Sequence, residues 1–227
     1  MAGKDPLWAI LTDPAKKGRR WETEAFFSTG QQEVDDLMKH IDSVHFKVRR
    51  KAALDFGCGV GRVSQALANY FESVYGVDIA PTMIELARKF NRHAGKCKFY
   101  LNETDDLHVF KDDSFDLVYS NLTLQHIDKK YIMRYLREFL RILARGGLII
   151  FHLPSKPALL KRWFWAIYRR IPYLFHLIRC GGGMEMHWMK KKEVLGIIEI
   201  NGGRVLEAIE TGSANGWQKY RYCVTKD

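Results

Sequence analysis

Two hydrophobic rhythms alternate along this chain. Short, mostly apolar runs fall at Ala52–Phe56, Ser73–Asp78, Cys97–Leu101, Phe115–Ser120 and Gly147–His152, and runs of this kind predict strands. Between them, apolar positions recur every three or four residues near Gly61–Tyr70, over Pro81–His93 and over Asp128–Leu143, which predicts helices. A further helix is expected near Glu33–Ile41, ahead of the first strand. Strands alternating with helices imply a parallel sheet covered on both faces. After a long helical insert, a helix over Lys191–Asn201 leads to strands Arg204–Ile209 and Gln218–Thr225. No helix separates these two, so the turn-rich 211-TGSANG-216 is expected to join them as an antiparallel pair at the sheet edge. The pattern is that of one α/β domain over residues 1–227, doubly wound around a mostly parallel seven-stranded sheet.

The insert, 155–192, carries its own pattern. At about 100° per residue, Leu160, Trp163, Phe164, Ile167, Ile171, Leu174, Phe175 and Ile178 share one face, and Lys161, Arg162, Arg169, Arg170, His176 and Arg179 gather on the other. This is a basic amphipathic helix, interrupted at Pro172 and ended by 181-GGG-183. It suits a cap over a hydrophobic acceptor, peripheral contact with an anionic membrane through 156–179, or a subunit contact. The ordinary alternative is an apolar stripe packed on its own domain.

Composition narrows the class. With 227 residues, 47% of them hydrophobic and 27% charged, the chain supports one packed core. The formal charge of +10, with a basic patch at 47-KVRRK-51, suits an anionic partner such as nucleic acid or a lipid surface. No recognisable RNA-binding module accompanies it. Cys58, Cys97, Cys180 and Cys223 show no metal-site or disulfide spacing, and no apolar run is long enough for a signal peptide or a membrane span. A cytoplasmic protein is expected, at most peripheral to a membrane.

Chemistry concentrates in 54-LDFGCGVGRVSQALANYFESVYGVDI-79. A strand delivers the chain into Gly57, Gly59 and Gly61 and a helix follows at once, a loop that brings backbone amides close to a ligand. Arg62 stands where a dinucleotide fingerprint would need its third glycine, so the spacing is GxGxG rather than GxGxxG. Asp78 ends the next strand, where a carboxylate can accept both hydroxyls of a ribose. With 114-SFDLVYSNLTLQH-126 and 141-RILARGGLII-150 in register behind them, these segments resemble the class I S-adenosylmethionine-dependent methyltransferases over roughly Gln31 to Lys226. Ala144 and Arg145 depart from the Lys-Pro that often precedes the two glycines in that family.

The resemblance implies S-adenosyl-L-methionine as cofactor and a small-molecule or lipid-like methyl acceptor. It also implies that Gly57, Gly59 and Gly61 line the methionine part and ribose, that Asp55 orients the amino group, and that Asp78, with Ile79 beside it, takes the ribose. Glu103 or Asp105, with the backbone of Thr104, would meet the adenine, and Asn121 and Leu122 would sit by the sulfonium. Asp55 as a turn cap and Asp78 as a helix cap are the structural alternatives. Residues 1–30 resemble the family's N-terminal lid, with Arg20 and Trp21 reaching the cofactor and Phe27 walling the acceptor pocket, or else form a surface helix packed on the core. Trp163, His187 and Trp188 are the insert's acceptor-side candidates.

Methyl transfer from a sulfonium is an in-line displacement governed by alignment, and no metal is demanded. A hydroxyl acceptor would still need a base near neutrality. His126 and His152, each just past a strand, are the candidates, with backbone hydrogen bonding or helix capping as the alternative. An RNA methyltransferase and a non-catalytic cofactor-binding protein remain the competing functions; 119-YSNL-122 stands where an Asn/Asp-Pro-Pro-Tyr motif for amine acceptors would be.

Overall fold

A computed structural model describes residues 5–44, 46–157, 186–212 and 217–227. Strands β1 (Ala52–Phe56), β2 (Ser73–Asp78), β3 (Cys97–Leu101) and β4 (Phe115–Ser120) have the ends that the apolar runs predict. With β5 (Leu143–Pro157), β6 (Gly203–Gly212) and β7 (Trp217–Lys226) they form one sheet in the order β3-β2-β1-β4-β5-β7-β6. β1 to β5 pair in parallel; β7 runs antiparallel to both β5 and β6. The expected antiparallel pair therefore closes one edge, with β7 inside and β6 outermost.

Both faces of the sheet are covered. Along β1, Ala53 joins a cluster with Val34, Leu37 and Ile41 of helix α2 (Thr23–Ser43), Val63 and Leu67 of α3 (Arg62–Leu67) and Ile84 of α4 (Pro81–Lys89). The next residue, Leu54, joins the opposite cluster with Ile132, Leu136 and Phe139 of α5 (Lys129–Ile142) and Ile198 of α6 (Lys191–Ile200). Alternate strand residues point to opposite faces, so a continuous apolar run is what a strand buried on both sides requires. Phe56 fixes α5 to the sheet through the rings of Tyr135 and Phe139, with centroids 4.5 and 5.0 Å away.

α2 is longer than the helix expected near Glu33–Ile41. Its buried stripe starts at Phe26 and runs through Gly30, Val34, Leu37, Met38 and Ile41. Gly30 masks that continuity in the sequence, and its lack of a side chain is required by packing: a Cβ there would stand 2.4 Å from the carbonyl oxygen of Arg62. β5 also outruns the expected Gly147–His152, because β7 pairs along it from Leu148 opposite Thr225 to Pro157 opposite Trp217. The register shifts between Pro154 and Lys156, where proline supplies no N–H to the ladder.

The expected cap helix over Leu160–Ile178, its residues Trp163 and Phe164, Cys180 and most of the 156–179 membrane-contact segment lie outside the described residues. Among the described residues no helix is long and apolar enough to cross a membrane. The strand order reverses between β1 and β4, and in such sheets the crevice beyond the carboxyl ends at that point is the ligand site.

Candidate active site

The glycine loop is stitched to β2 by its own backbone: Gly57 N–H and Cys58 N–H donate to the Val77 carbonyl over 2.8 and 3.0 Å. Gly57, Gly59 and Gly61 all have left-handed backbones, with φ of +78°, +53° and +82°. A Cβ on Gly57 would lie 2.1 Å from Thr123 Oγ1, and one on Gly61 would lie 2.7 Å from the Phe99 ring. These two glycines thus admit the protein's own side chains. At Gly59 the neighbour is Ile10 Cδ1 at 2.7 Å. Ile10 ends α1 (Pro6–Ile10), which places this part of the N-terminal segment against the loop.

Asp55 and Asp78 flank the loop. The buried Asp55 accepts a 2.6 Å hydrogen bond from Ser64 Oγ, and burial pushes its carboxyl up to about 7. Asp78 accepts from Gly59 N–H through one oxygen and from Ala80 N–H through the other, both at 2.9 Å. Its pKa is raised because burial outweighs those bonds. Asp78 makes no helix cap: Ala80 is the N-cap residue of α4, with no side-chain bond. A carboxylate has about four acceptor positions, so two backbone donors leave room for ribose hydroxyls. Ile79, 69% exposed, projects beside it on the cavity wall.

On α2 sits a polar hub that no residue pattern announced. Glu33 of α2 receives Arg62 Nη2 at 2.6 Å, Tyr119 Oη at 2.8 Å and Asn121 Nδ2 at 2.9 Å. Burial, the largest influence on its carboxyl, acts upward; the Arg62 charge and the three donors outweigh it and hold Glu33 below the usual range. The available signal was an acid three residues after Gly30, on the apolar stripe of α2.

Beyond β3, Glu103, Thr104, Asp105 and Asp106 border the same cavity. Asp105 is ion-paired with Arg134 of α5, and Asp106 accepts from Thr104 Oγ1 and pairs with His108. Beyond β4, Leu122 adopts φ +61°, uncommon for a residue with a branched side chain, and such strain clusters at functional sites. The following turn, Leu124–His126, places His126 on the wall with its Nε2 3.1 Å from Gln125 Nε2.

Together these residues enclose about 1590 Å³. The wall includes Trp8 and Ile10 of α1, the acids Glu33, Asp55 and Asp78, the β3 and β4 tips, Tyr131 of α5, Met186, and Trp217 and Lys219 of β7. Several expected residues lie elsewhere. His152 is off the wall: half-buried on β5, with its buried Nδ1 unpartnered among the described residues, it is pulled down to about 4 by desolvation, which makes it a weak base. Trp21 packs edge-on against Phe26 at 5.6 Å and donates from Nε1 to the Leu11 carbonyl, tying the start of the N-terminal segment to α2. Arg20 is exposed beside it, and Phe27 stacks edge-on with Phe90, so neither lines the cavity. His187 donates its N–H to the Gln125 carbonyl and sets Nδ1 3.4 Å from Asp128; its neighbour Trp188 points to solvent, and Met186 faces the cavity instead. Trp163 is outside the described residues. Among those residues no group of three or more His, Cys, Asp or Glu could hold a metal ion.

Residues 54–151 match a family described as "Methyltransferase domain". That segment is similar to methyltransferase domains and takes up less than half of the chain. Its curated relatives include a malonyl-[acyl-carrier protein] O-methyltransferase of Halorhodospira halophila, 35% identical over 126 residues, which are 53% of this chain and 40% of that protein. A ubiquinone biosynthesis O-methyltransferase of Coxiella burnetii is 25% identical over 75% of this chain and 70% of that one. The chain thus spans less than half of the first and most of the second. Among solved structures, the magnesium protoporphyrin IX methyltransferase from Synechocystis PCC 6803 with bound SAH superposes with a TM-score of 0.67. At 18% identity over 97% of this chain and 93% of that one, it shares the methyltransferase fold. The matched segment runs from β1 into β5 and leaves α1, α2 and the β6–β7 pair outside it.

Proposed function

We propose that this protein transfers a methyl group from S-adenosyl-L-methionine to a small or lipid-like acceptor. The observation that carries the reading is the glycine loop, held between Asp55 and Asp78 at the strand-order reversal and opening on a cavity larger than one ligand needs. Sites for a single ligand enclose about 300–1,000 Å³, against about 1590 Å³ here. The residues fit the cofactor: Asp78 keeps acceptor positions for the ribose, and Asp55, beside the loop, suits a cationic amino group. Asp105 is engaged by Arg134, whereas Glu103 has no partner among the described residues. Glu103 is therefore our choice for the adenine amine.

The cofactor, when bound, supplies a methyl on a sulfonium. The chain's contribution is position: Leu122 and Asn121 at the β4 tip hold the join between the two halves of the cavity, and Tyr131, Met186 and Trp217 give the acceptor half an apolar lining. His126 is the wall histidine able to take a proton from a hydroxyl acceptor. The relatives named above, one for malonyl-[acyl-carrier protein] and one for ubiquinone biosynthesis, support a small or lipid-like acceptor over RNA. Buried, free Cys58, Cys97 and Cys223 suit a reducing cytoplasm. The test is calorimetry with S-adenosylhomocysteine, followed by label transfer from methyl-tritiated cofactor to metabolite, lipid and RNA fractions. No binding, or label confined to RNA, would overturn this proposal.

A further inference from the structure

Lys219 stands apart from the other charges of the cavity. It lies on β7 opposite Pro154 of β5, two residues before Arg221, which is opposite His152. Paired residues on neighbouring strands share a face, so Lys219 extends the row of His152 and Arg221 towards the carboxyl edge, on the α2 side. β7 follows β5 in the sheet order, away from the glycine loop and from Asp78, which sit at the tips of β1 and β2. Lys219 therefore belongs to the half of the cavity that the cofactor-binding loop does not reach.

The wall around it is otherwise acidic, with Glu33, Asp55, Asp78, Glu103 and Asp128 among its members. Its arginine, Arg62, is committed to Glu33. No described residue forms an ion pair or hydrogen bond with Lys219, although the residue is half-buried, and burial alone draws its pKa down. A half-buried ammonium with no direct ion-pair or hydrogen-bond partner among the described residues is held at a cost that an anion placed against it would relieve. Trp217, two residues away and also on the wall, offers an apolar surface beside it.

We propose that Lys219 binds an anionic group of the methyl acceptor, a carboxylate or a phosphate carried on an apolar body. This rests on the methyltransferase reading and deepens it: the acceptor is an amphiphile, with its charge held by β7 and its apolar part along Trp217, Met186 and Tyr131. Lys219 discriminates between acceptors and takes no part in holding the cofactor.

The test uses the full chain saturated with S-adenosylhomocysteine and three probes, octanoate, octyl phosphate and octanol, with calorimetric readout. The unmodified protein should bind one or both anions roughly tenfold or more tightly than the alcohol, as one charge-assisted hydrogen bond warrants. Whichever anion wins identifies the group. Lys219→Met should erase the preference, Lys219→Arg should retain it, and affinity for S-adenosylhomocysteine should stay the same in all three proteins. No preference in the unmodified protein, or a preference that survives Lys219→Met, would overturn the proposal. So would a loss of S-adenosylhomocysteine affinity in Lys219→Met, since Lys219 would then serve the cofactor. Failure of the unmodified protein to bind S-adenosylhomocysteine at all would instead sink the methyltransferase reading beneath it.

Discussion

Arg62 Nη2 sits 2.6 Å from Glu33 Oε2, joining the first residue of α3 to the middle of α2 directly above the β4 tip. Both side chains are largely buried, so each depends on the other for charge compensation. Removing one partner of such a pair costs about 3–5 kcal/mol. Arg62→Met should therefore destabilise the protein strongly in urea, and Glu33→Gln/Arg62→Met should be more stable than Arg62→Met alone. A double variant no better than Arg62→Met would show that the pair is not coupled.

If Asp55 meets the cofactor's amino group as proposed, cofactor affinity should depend on pH. Its carboxyl lies near 7 in the folded chain, against an ordinary value of 3.8, because it is buried. Folding thus favours the protonated form, and stability from this group is full below pH 3.8 and declines as pH rises towards 7. A cationic amino group prefers the ionised form. Affinity for S-adenosylhomocysteine should accordingly rise between pH 6 and pH 8 and flatten in Asp55→Asn, which calorimetry across that range would read.

Gly57→Ala should be the most disruptive single change in the loop. The new Cβ would meet Thr123 Oγ1, Cγ2 and Cβ at 2.1, 2.3 and 2.6 Å, and the backbone is already left-handed. Even Thr123→Ala keeps the Cβ, so it should not restore the melting temperature. Gly59→Ala meets only the flexible tip of Ile10 and should cost about 1–3 kcal/mol, mainly from the backbone.

His126 and His152 should separate in kinetics. For a hydroxyl acceptor, His126→Ala is expected to lower kcat by about 10²–10⁴-fold with cofactor affinity intact. His152→Gln should change the melting temperature far more than the rate. Equal kinetic losses in both variants would mean that the β5 histidine reaches the reacting atoms.

Turnover should survive EDTA. Among the described residues no cluster of potential ligands is available for a cation. Loss with EDTA that magnesium restores would reveal a metal site that the reading overlooked.

The fold was legible wherever periodicity was uninterrupted. β1 to β4 could be bounded to the residue because each is a short, mostly apolar run with glycine, charged or other polar residues at or next to its ends. α2 was truncated because Gly30 looks like a break in isolation and becomes a necessity only against the Arg62 carbonyl. The cofactor loop was legible because its function imposes a local spacing on Gly57, Gly59 and Gly61. Glu33, Lys219 and Trp217 carry no such spacing: they meet through strand order and helix packing, which residue patterns do not encode. The placement of His152 was illegible for the same reason, since a position just past a strand core says which end of the sheet it is near but not whether its side chain reaches the cavity wall.

β7 comes after β6 in the chain yet lies between β6 and β5, and this constrains the order of assembly. As the chain grows from its N-terminus, β1 to β5 can dock on one another while β6 still has no sheet partner. A premature β5–β6 pairing would have to be undone before β7 could enter. Strand insertion is therefore a late, long-range step, and the wall bearing Trp217 and Lys219 is finished only when it occurs. A nascent chain stalled after β6 would display a folded glycine loop and an unfinished acceptor wall, with the exposed β5 edge open to pairing with another chain.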